Sequence, residues 1–177
     1  MINKSIKILF LGLLSLGSIH CGYATHSNLS GNFRTVHVEP FKNNVTYTME
    51  GQRKLYLPLL EIKTRNAVIE RFQFDGNLKI AENDQADLVL KGQLQNYQKS
   101  GLRYTDNNDV LENRIQIQMS FELWDVKENK LVWAEPNFIG EATYFVSGSL
   151  AKSEEAAVDD AVTDLARRIV ERTIENW

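Results

Sequence analysis

Apolar and polar positions alternate most cleanly over residues 114–124. Ile115, Ile117, Met119, Phe121 and Leu123 fall on one side, and Arg114, Gln116, Gln118, Ser120, Glu122 and Trp124 on the other. That period of two is the signature of a strand with one face buried. Leu88, Leu90 and Leu94 alternate in the same way with Val89, Lys91, Gln93 and Gln95, which predicts a second long strand. Asp125 to Lys130 reads as a hairpin turn into Leu131-Val132-Trp133. Pro136-Asn137 then interrupts the pattern before extended chain resumes from Phe138 to Phe145. Upstream, Val36 and Val38 alternate with polar neighbours and Pro40 stops the pairing, so a first strand ends near Pro40. Leu78 to Ala81 predicts a short edge strand.

Two stretches switch to helical spacing. From Leu55 onward, Leu55, Leu59, Ile62 and Ile69 form one stripe, interrupted by Asn66, with Pro58 placed in the first turn. Phe72 to Gly76 closes this helix and Asp75-Gly76-Asn77 turns the chain. Ser153 caps a terminal helix. Glu154 and Glu155 suit its positive first turn, and Arg167, Arg168 and Arg172 stand nearer its negative end. Val158, Val162, Leu165 and Ile169 are its expected buried stripe. These elements predict an α+β two-layer sandwich: about four mainly antiparallel strands with two helices packed on one face, in the order β-α-β-β-β-α. The opposite sheet face is left polar. Antiparallel sheets often present one such face to water, and the same face would equally suit docking against another polar surface, such as the lumen of a β-barrel.

Composition narrows the class. The chain has 177 residues and a formal net charge of −3 with its charges dispersed, so no basic field argues for nucleic acid. No repeats are evident. Lys4 and Lys7 lead into an apolar run from Ile8 to Leu16, then Gly17 and Ser18, then the single cysteine, Cys21. This is the layout of an export signal, and the run is short of the roughly 20 residues that cross a bilayer. One reading cleaves before Cys21 and acylates it, although the preceding triplet is Ser18-Ile19-His20; the other is an ordinary signal cut after Ala24. The lipoprotein reading gives residues 1–20 as signal, 21–32 as lipidated terminus and tether, and 33–177 as one α+β domain, the size of a single core. A lone cysteine in an exported chain has no internal disulfide to make, and lipidation is its obvious use.

Catalytic chemistry finds little support. His37 lies on a strand and the other histidines, His20 and His26, lie at or in the tether, so no base is held near a nucleophile. Glu61, Glu70, Asp84 and Asp87 are scattered rather than paired, and neither a phosphate-cradling glycine loop nor a metal-ligand spacing is present. No enzymatic activity and no cofactor beyond the covalent lipid on Cys21 are expected.

Three segments taken together resemble the LptE family of outer-membrane lipopolysaccharide-assembly lipoproteins. They are Cys21-Gly22-Tyr23; the 36–43 strand with the Ala86-Asp87-Leu88-Val89-Leu90-Lys91-Gly92 strand; and the step Leu150-Ala151-Lys152 into the helix over 153–174. The resemblance covers nearly the whole mature chain in the same element order. It implies a protein anchored by lipid to the outer membrane on its periplasmic side, seated as a plug in a large LptD-like β-barrel translocon and helping to deliver lipopolysaccharide to the cell surface. The implied partners are that barrel, lipopolysaccharide and the membrane reached by the anchor. Lys152 matches the family lysine just before the terminal helix. A second basic position falls on or near Asp106 here, with Arg103 and Lys99 nearby instead, which departs from the family pattern. Lys152, Arg103 and Lys99 are therefore the candidate lipopolysaccharide contacts. Arg114, Gln116, Gln118 and Glu122 are the candidate barrel-docking face.

Two rival readings come from other classes. The 36–43 strand pattern also occurs in lipoproteins that form curli-type secretion pores, but that role needs a membrane-spanning hairpin. Residues 43–57 and 96–109 are too polar and too short for strands of about 9–11 residues each. A generic periplasmic binding lipoprotein is the other.

Overall fold

The computed structural model describes residues 33–45 and 59–175. The proposed signal, Cys21 and its tether lie outside those residues, as do Leu55 and Pro58 of the expected first helix. Eight elements follow in order: β1 (Thr35–Val38), β2 (Lys42–Asn43), α1 (Leu60–Asp75), β3 (Lys79–Ile80), β4 (Leu88–Tyr104), β5 (Val110–Asp125), β6 (Lys130–Phe145) and α2 (Glu154–Glu175). A single turn of 3-10 helix, Asn83–Gln85, precedes β4.

The sheet runs β3-β1-β4-β5-β6, and β2 pairs with β4 beyond the end of β1. β4, β5 and β6 form an antiparallel meander, whereas β1 runs parallel to both β3 and β4, and β2 parallel to β4. The sheet is thus mixed, with three long antiparallel strands and three short parallel ones in place of four antiparallel strands. The α+β class and the two helices are as expected. The parallel part arises because α1 carries the chain back across the sheet between β1 and β3.

Both helices join the inward sheet residues in one core. Val36 and Val38 of β1, Leu88, Leu90 and Leu94 of β4, and Ile115, Ile117, Met119, Phe121 and Leu123 of β5 are buried there with Leu165 and Ile169 of α2. Each such side chain contributes about 1.5–3 kcal/mol when fully removed from water. Pro40 ends β1, and Phe41 then lays its ring over Gly92 and edge-on to Phe121, with 5.5 Å between centroids. A Cβ on Gly92 would sit 2.6 Å from the Phe41 ring, so this glycine makes room for the crossing.

The first helix differs from its sequence reading. It starts at Leu60, after Leu59 in the left-handed region at φ 64°, and buries Leu60, Thr64, Val68 and Phe72. Leu59 and Ile62, assigned to the buried stripe, are exposed, and Ile69 only packs partly against the core. Thr64 is tolerated inside because its hydroxyl donates to the Leu60 carbonyl at 2.8 Å. The helix end is as expected: Gly76 is left-handed at φ 79° and its N–H reaches the Phe72 carbonyl at 3.0 Å. Asp75 then accepts from the Asn77 N–H and amide to make the turn.

The terminal helix follows the sequence closely. Ser153 Oγ accepts from the Ala156 N–H at 3.2 Å, and the buried face contains Val158, Val162, Leu165 and Ile169. At Gly140 of β6 the helix comes in so close that a Cβ there would lie 2.6 Å from the Ala161 carbonyl oxygen. Pro136-Asn137 does not break β6. It forms a bulge opposite Ser120, between the Phe121–Glu135 and Met119–Phe138 pairs, where a missing N–H on an edge strand does no harm.

The sheet is longer than the helix layer. β4 has 17 residues and β5 16, and α2 has 22. At about 3.3 Å per strand residue and 1.5 Å per helical residue, the hairpin is some 50 Å long against roughly 33 Å of helix. Leu102, Tyr104 and Val110 at its far end are exposed apolar residues.

Candidate docking face and cation sites

Register decides which side chains share the uncovered face. Arg114, Gln116, Gln118 and Glu122 project together from β5, as their alternation requires, and among the described residues no helix or strand lies over them. Opposite them on β4 stand Ser100, Gln98, Asn96 and Lys91, and on β6 Thr143, Glu141, Ile139 and Ala134. Asn96 and Gln98 reach this face only because a bulge between Leu94 and Asn96 reverses the alternation, which turns Tyr97 inward against the core. Strict alternation along β4 would have put them on the wrong side. The sequence signal for the β4 and β6 members was therefore weak.

The β5–β6 half of the face is internally bonded. Gln116 Nε2 donates to Glu141 at 3.0 Å, and Gln118 Nε2 donates to Asn137 at 2.9 Å. At the β1 end, Trp124 Nε1 donates to Glu122 at 2.8 Å. Lys91 sits 5.3 Å from the Trp124 ring centroid and 3.9 Å from Glu39. At the far end, Arg103 pairs with the buried Glu112 at 3.0 Å and lies over Phe145 at 6.0 Å. Arg114 Nε is enclosed without a hydrogen-bond partner among the described residues.

The three candidate lipopolysaccharide cations are not gathered into one site. Lys99 projects from the opposite side of β4, where Nζ meets Glu154 in the first turn of α2 at 2.5 Å, and Tyr97 O–H donates to the other oxygen of the same carboxylate at 3.1 Å. The hydrogen bond that Lys99 donates to Glu154 holds its ammonium above its ordinary pKa, and burial, with Glu154 beside it, raises the Tyr97 phenol. Lys152 pairs with Asp160 at 2.6 Å on the helix side, and its backbone N–H closes onto the Phe145 carbonyl. Arg103 alone of the three stands on the uncovered face. Each cation thus already has a carboxylate, though all three pairs are open to solvent on at least one partner.

Among the described residues no three His, Cys, Asp or Glu side chains group as metal ligands, and no described helix is long and apolar enough to cross a membrane. Helices on one side and a continuous amide-rich sheet face on the other define a two-layer α+β module. Similar folds occur in protein XCC0632 from Xanthomonas campestris (TM-score 0.55, 14% identity, covering 80% of this chain and 84% of that one). A minor lipoprotein from Acinetobacter baumannii gives a TM-score of 0.52 at 13% identity, covering 81% and 94%. Protein CT253 from Chlamydia trachomatis gives 0.50 at 14%, covering 80% and 95%. No curated protein sequence matches the chain. The LptE family model, described as lipopolysaccharide-assembly, matches residues 33–173. The chain belongs to the LptE family, the outer-membrane lipoproteins of lipopolysaccharide assembly.

Proposed function

We propose that this protein is the lipid-anchored plug of a large outer-membrane β-barrel translocon, held at the periplasmic side through acylated Cys21 after removal of residues 1–20. Residues 21–32 serve as its tether and 33–177 as the plug. It assists assembly of the barrel and delivery of lipopolysaccharide to the cell surface, and it carries no catalytic step. One observation supports this reading above the others: the long β4–β6 sheet has both helices on one side and leaves Arg114, Gln116, Gln118 and Glu122 together on the other. An antiparallel sheet can leave such a face to water, and the polar interior of a barrel complements it.

The test is site-specific photo-crosslinking in cells at Gln116, Gln118 and Glu122. Capture of a large outer-membrane barrel in a one-to-one complex is the expected result. Silence at all three positions, or a homomeric ring, would remove the plug reading.

A further inference from the structure

Four described arginines are half-buried: Arg65, Arg71, Arg114 and Arg172. Three of them meet an acceptor within the chain. Arg65 donates to the Val38 and Glu39 carbonyls, Arg71 faces Glu171 at 3.9 Å, and Arg172 meets Glu135 at 3.1 Å. Arg114 makes no hydrogen bond or ion pair to any described residue, and its Nε is closed off from water. Register accounts for this. Its cross-strand neighbours, Ser100 on β4 and Thr143 on β6, carry no charge. The carboxylates nearest in register are Glu112, two residues along β5, and Glu141, opposite Gln116. The first is held by Arg103 and the second accepts from Gln116.

Withholding a charged donor from both water and an acceptor opposes folding, and what the isolated chain loses there a complex can recover. The chemistry of the guanidinium narrows the acceptor. Its planar fork matches a carboxylate or a phosphate. Glu112 and Glu141 stand about 7–8 Å away by sheet geometry. Their field opposes a phosphate monoester, which brings nearly two negative charges, more than a carboxylate, which brings one. A permanent neighbour also suits a half-buried charge better than a ligand in transit, which would leave it unanswered between contacts.

We infer that Arg114 is the charge lock of the docking face: an aspartate or glutamate on the inner wall of the host barrel completes it and fixes how the module is seated. The inference rests on the plug reading above and adds the chemistry of one contact to it. Two readouts on the full-length lipoprotein test it. Arg114→Gln removes an unanswered charge, so the Tm of the free lipoprotein should hold or rise. Competing with the parent for the barrel in the same cells, the same variant should be recovered at about one thirtieth of the parent's share or less. Arg114→Glu should be excluded as well, and restored when an acidic residue of the barrel segment captured by a photo-crosslinker at Thr143 is changed to lysine. An undiminished share for Arg114→Gln overturns the lock, as does failure of every such reversal to restore Arg114→Glu. A Tm that falls together with the share would mark a structural role and overturn it too. A lipopolysaccharide adduct in place of a barrel adduct at Thr143 would give the guanidinium to a phosphate, with the same consequence. In each of these cases barrel capture at Glu122 leaves the plug standing, whereas silence at Gln116, Gln118 and Glu122 removes both.

Discussion

Arg168 of α2 donates from Nη1 to the backbone carbonyl of Ile139 on the outer edge of β6, reaching around the end of the sheet rather than over its face. One turn earlier Asp164 accepts from the Glu141 N–H at 3.3 Å, and the Lys152 N–H takes the Phe145 carbonyl at 3.1 Å. The unpaired backbone groups of an edge strand are templates for adding a foreign strand, and here the terminal helix and the residue before its cap occupy three of them. The double variant Asp164→Ala/Arg168→Ala should stay folded, lose about 1–2 kcal/mol in chemical denaturation from two exposed hydrogen bonds, and associate with rising concentration in light scattering. A variant that stays as monomeric as the parent at every concentration would show that these contacts do not guard the edge.

Gly140 sets the distance between β6 and α2. Gly140→Ala drives a methyl into the Leu165 side chain and to 2.6 Å from the Ala161 carbonyl oxygen, and backbone cannot yield as a flexible side chain would. The expected cost is about 1–3 kcal/mol, typical of overpacking a tight core. Thermal unfolding should report it as a lowered Tm, and an unchanged Tm would mean that α2 can slide outward freely.

Asp87 ties three segments together at the start of β4. Its Oδ2 accepts from the backbone N–H of Arg34 at 2.9 Å and of Thr35 at 3.1 Å and from the Thr35 hydroxyl, while Lys127 approaches Oδ1 at 3.1 Å. The Arg34 N–H, followed by Lys127, holds this carboxyl down to about 2 from an ordinary 3.8. The folded state therefore prefers the ionised form. Asp87 stabilises fully above about pH 4, and the contribution fades as the pH falls through about 2. Water reaches the group, so on the order of 1 kcal/mol is expected. Asp87→Asn should flatten the acid limb of a stability–pH curve between pH 4 and 2, and an acid limb identical to that of the parent would contradict the assignment.

Cys21→Ser tests the anchor. The parent should take up an acyl label that the variant loses. A parent that takes up no label and whose mature chain begins at Thr25 would favour an ordinary signal cut after Ala24.

Much of the fold was legible because β5 and α2 follow their ideal periods without a break, so Ile115 to Leu123 and Val158 to Ile169 fell on the correct faces. The misread face of α1 has a physical cause. Its buried row, Leu60, Thr64, Val68 and Phe72, hides a threonine whose hydroxyl is satisfied locally, while Leu59 and Ile62 offer a more apolar row that meets solvent. Hydrophobicity alone chose the wrong side. The parallel pairing of β1 was not visible either, because it depends on where α1 returns the chain and not on any alternation within Thr35–Val38.

That the candidate docking residues on β5 share one face was readable for the same reason as the strand. Their β4 neighbours were not, since the bulge after Leu94 changes which of Asn96, Tyr97 and Gln98 points outward. Lys99, Arg103 and Lys152 came from resemblance alone, and spacing along the chain cannot reveal that Lys99 and Arg103 end on opposite sides of a sheet.

The overhang of β4 and β5 past the helices bears on how deep such a plug can sit. Strands some 50 Å long stand about twice as tall as the roughly 25 Å apolar band of an outer-membrane barrel. On the plug reading, strands of that height reach past the apolar band of the host, so exposed apolar side chains at both strand ends, Leu102 and Tyr104 at one and Val126 and Leu131 at the other, would stand near or beyond its margins.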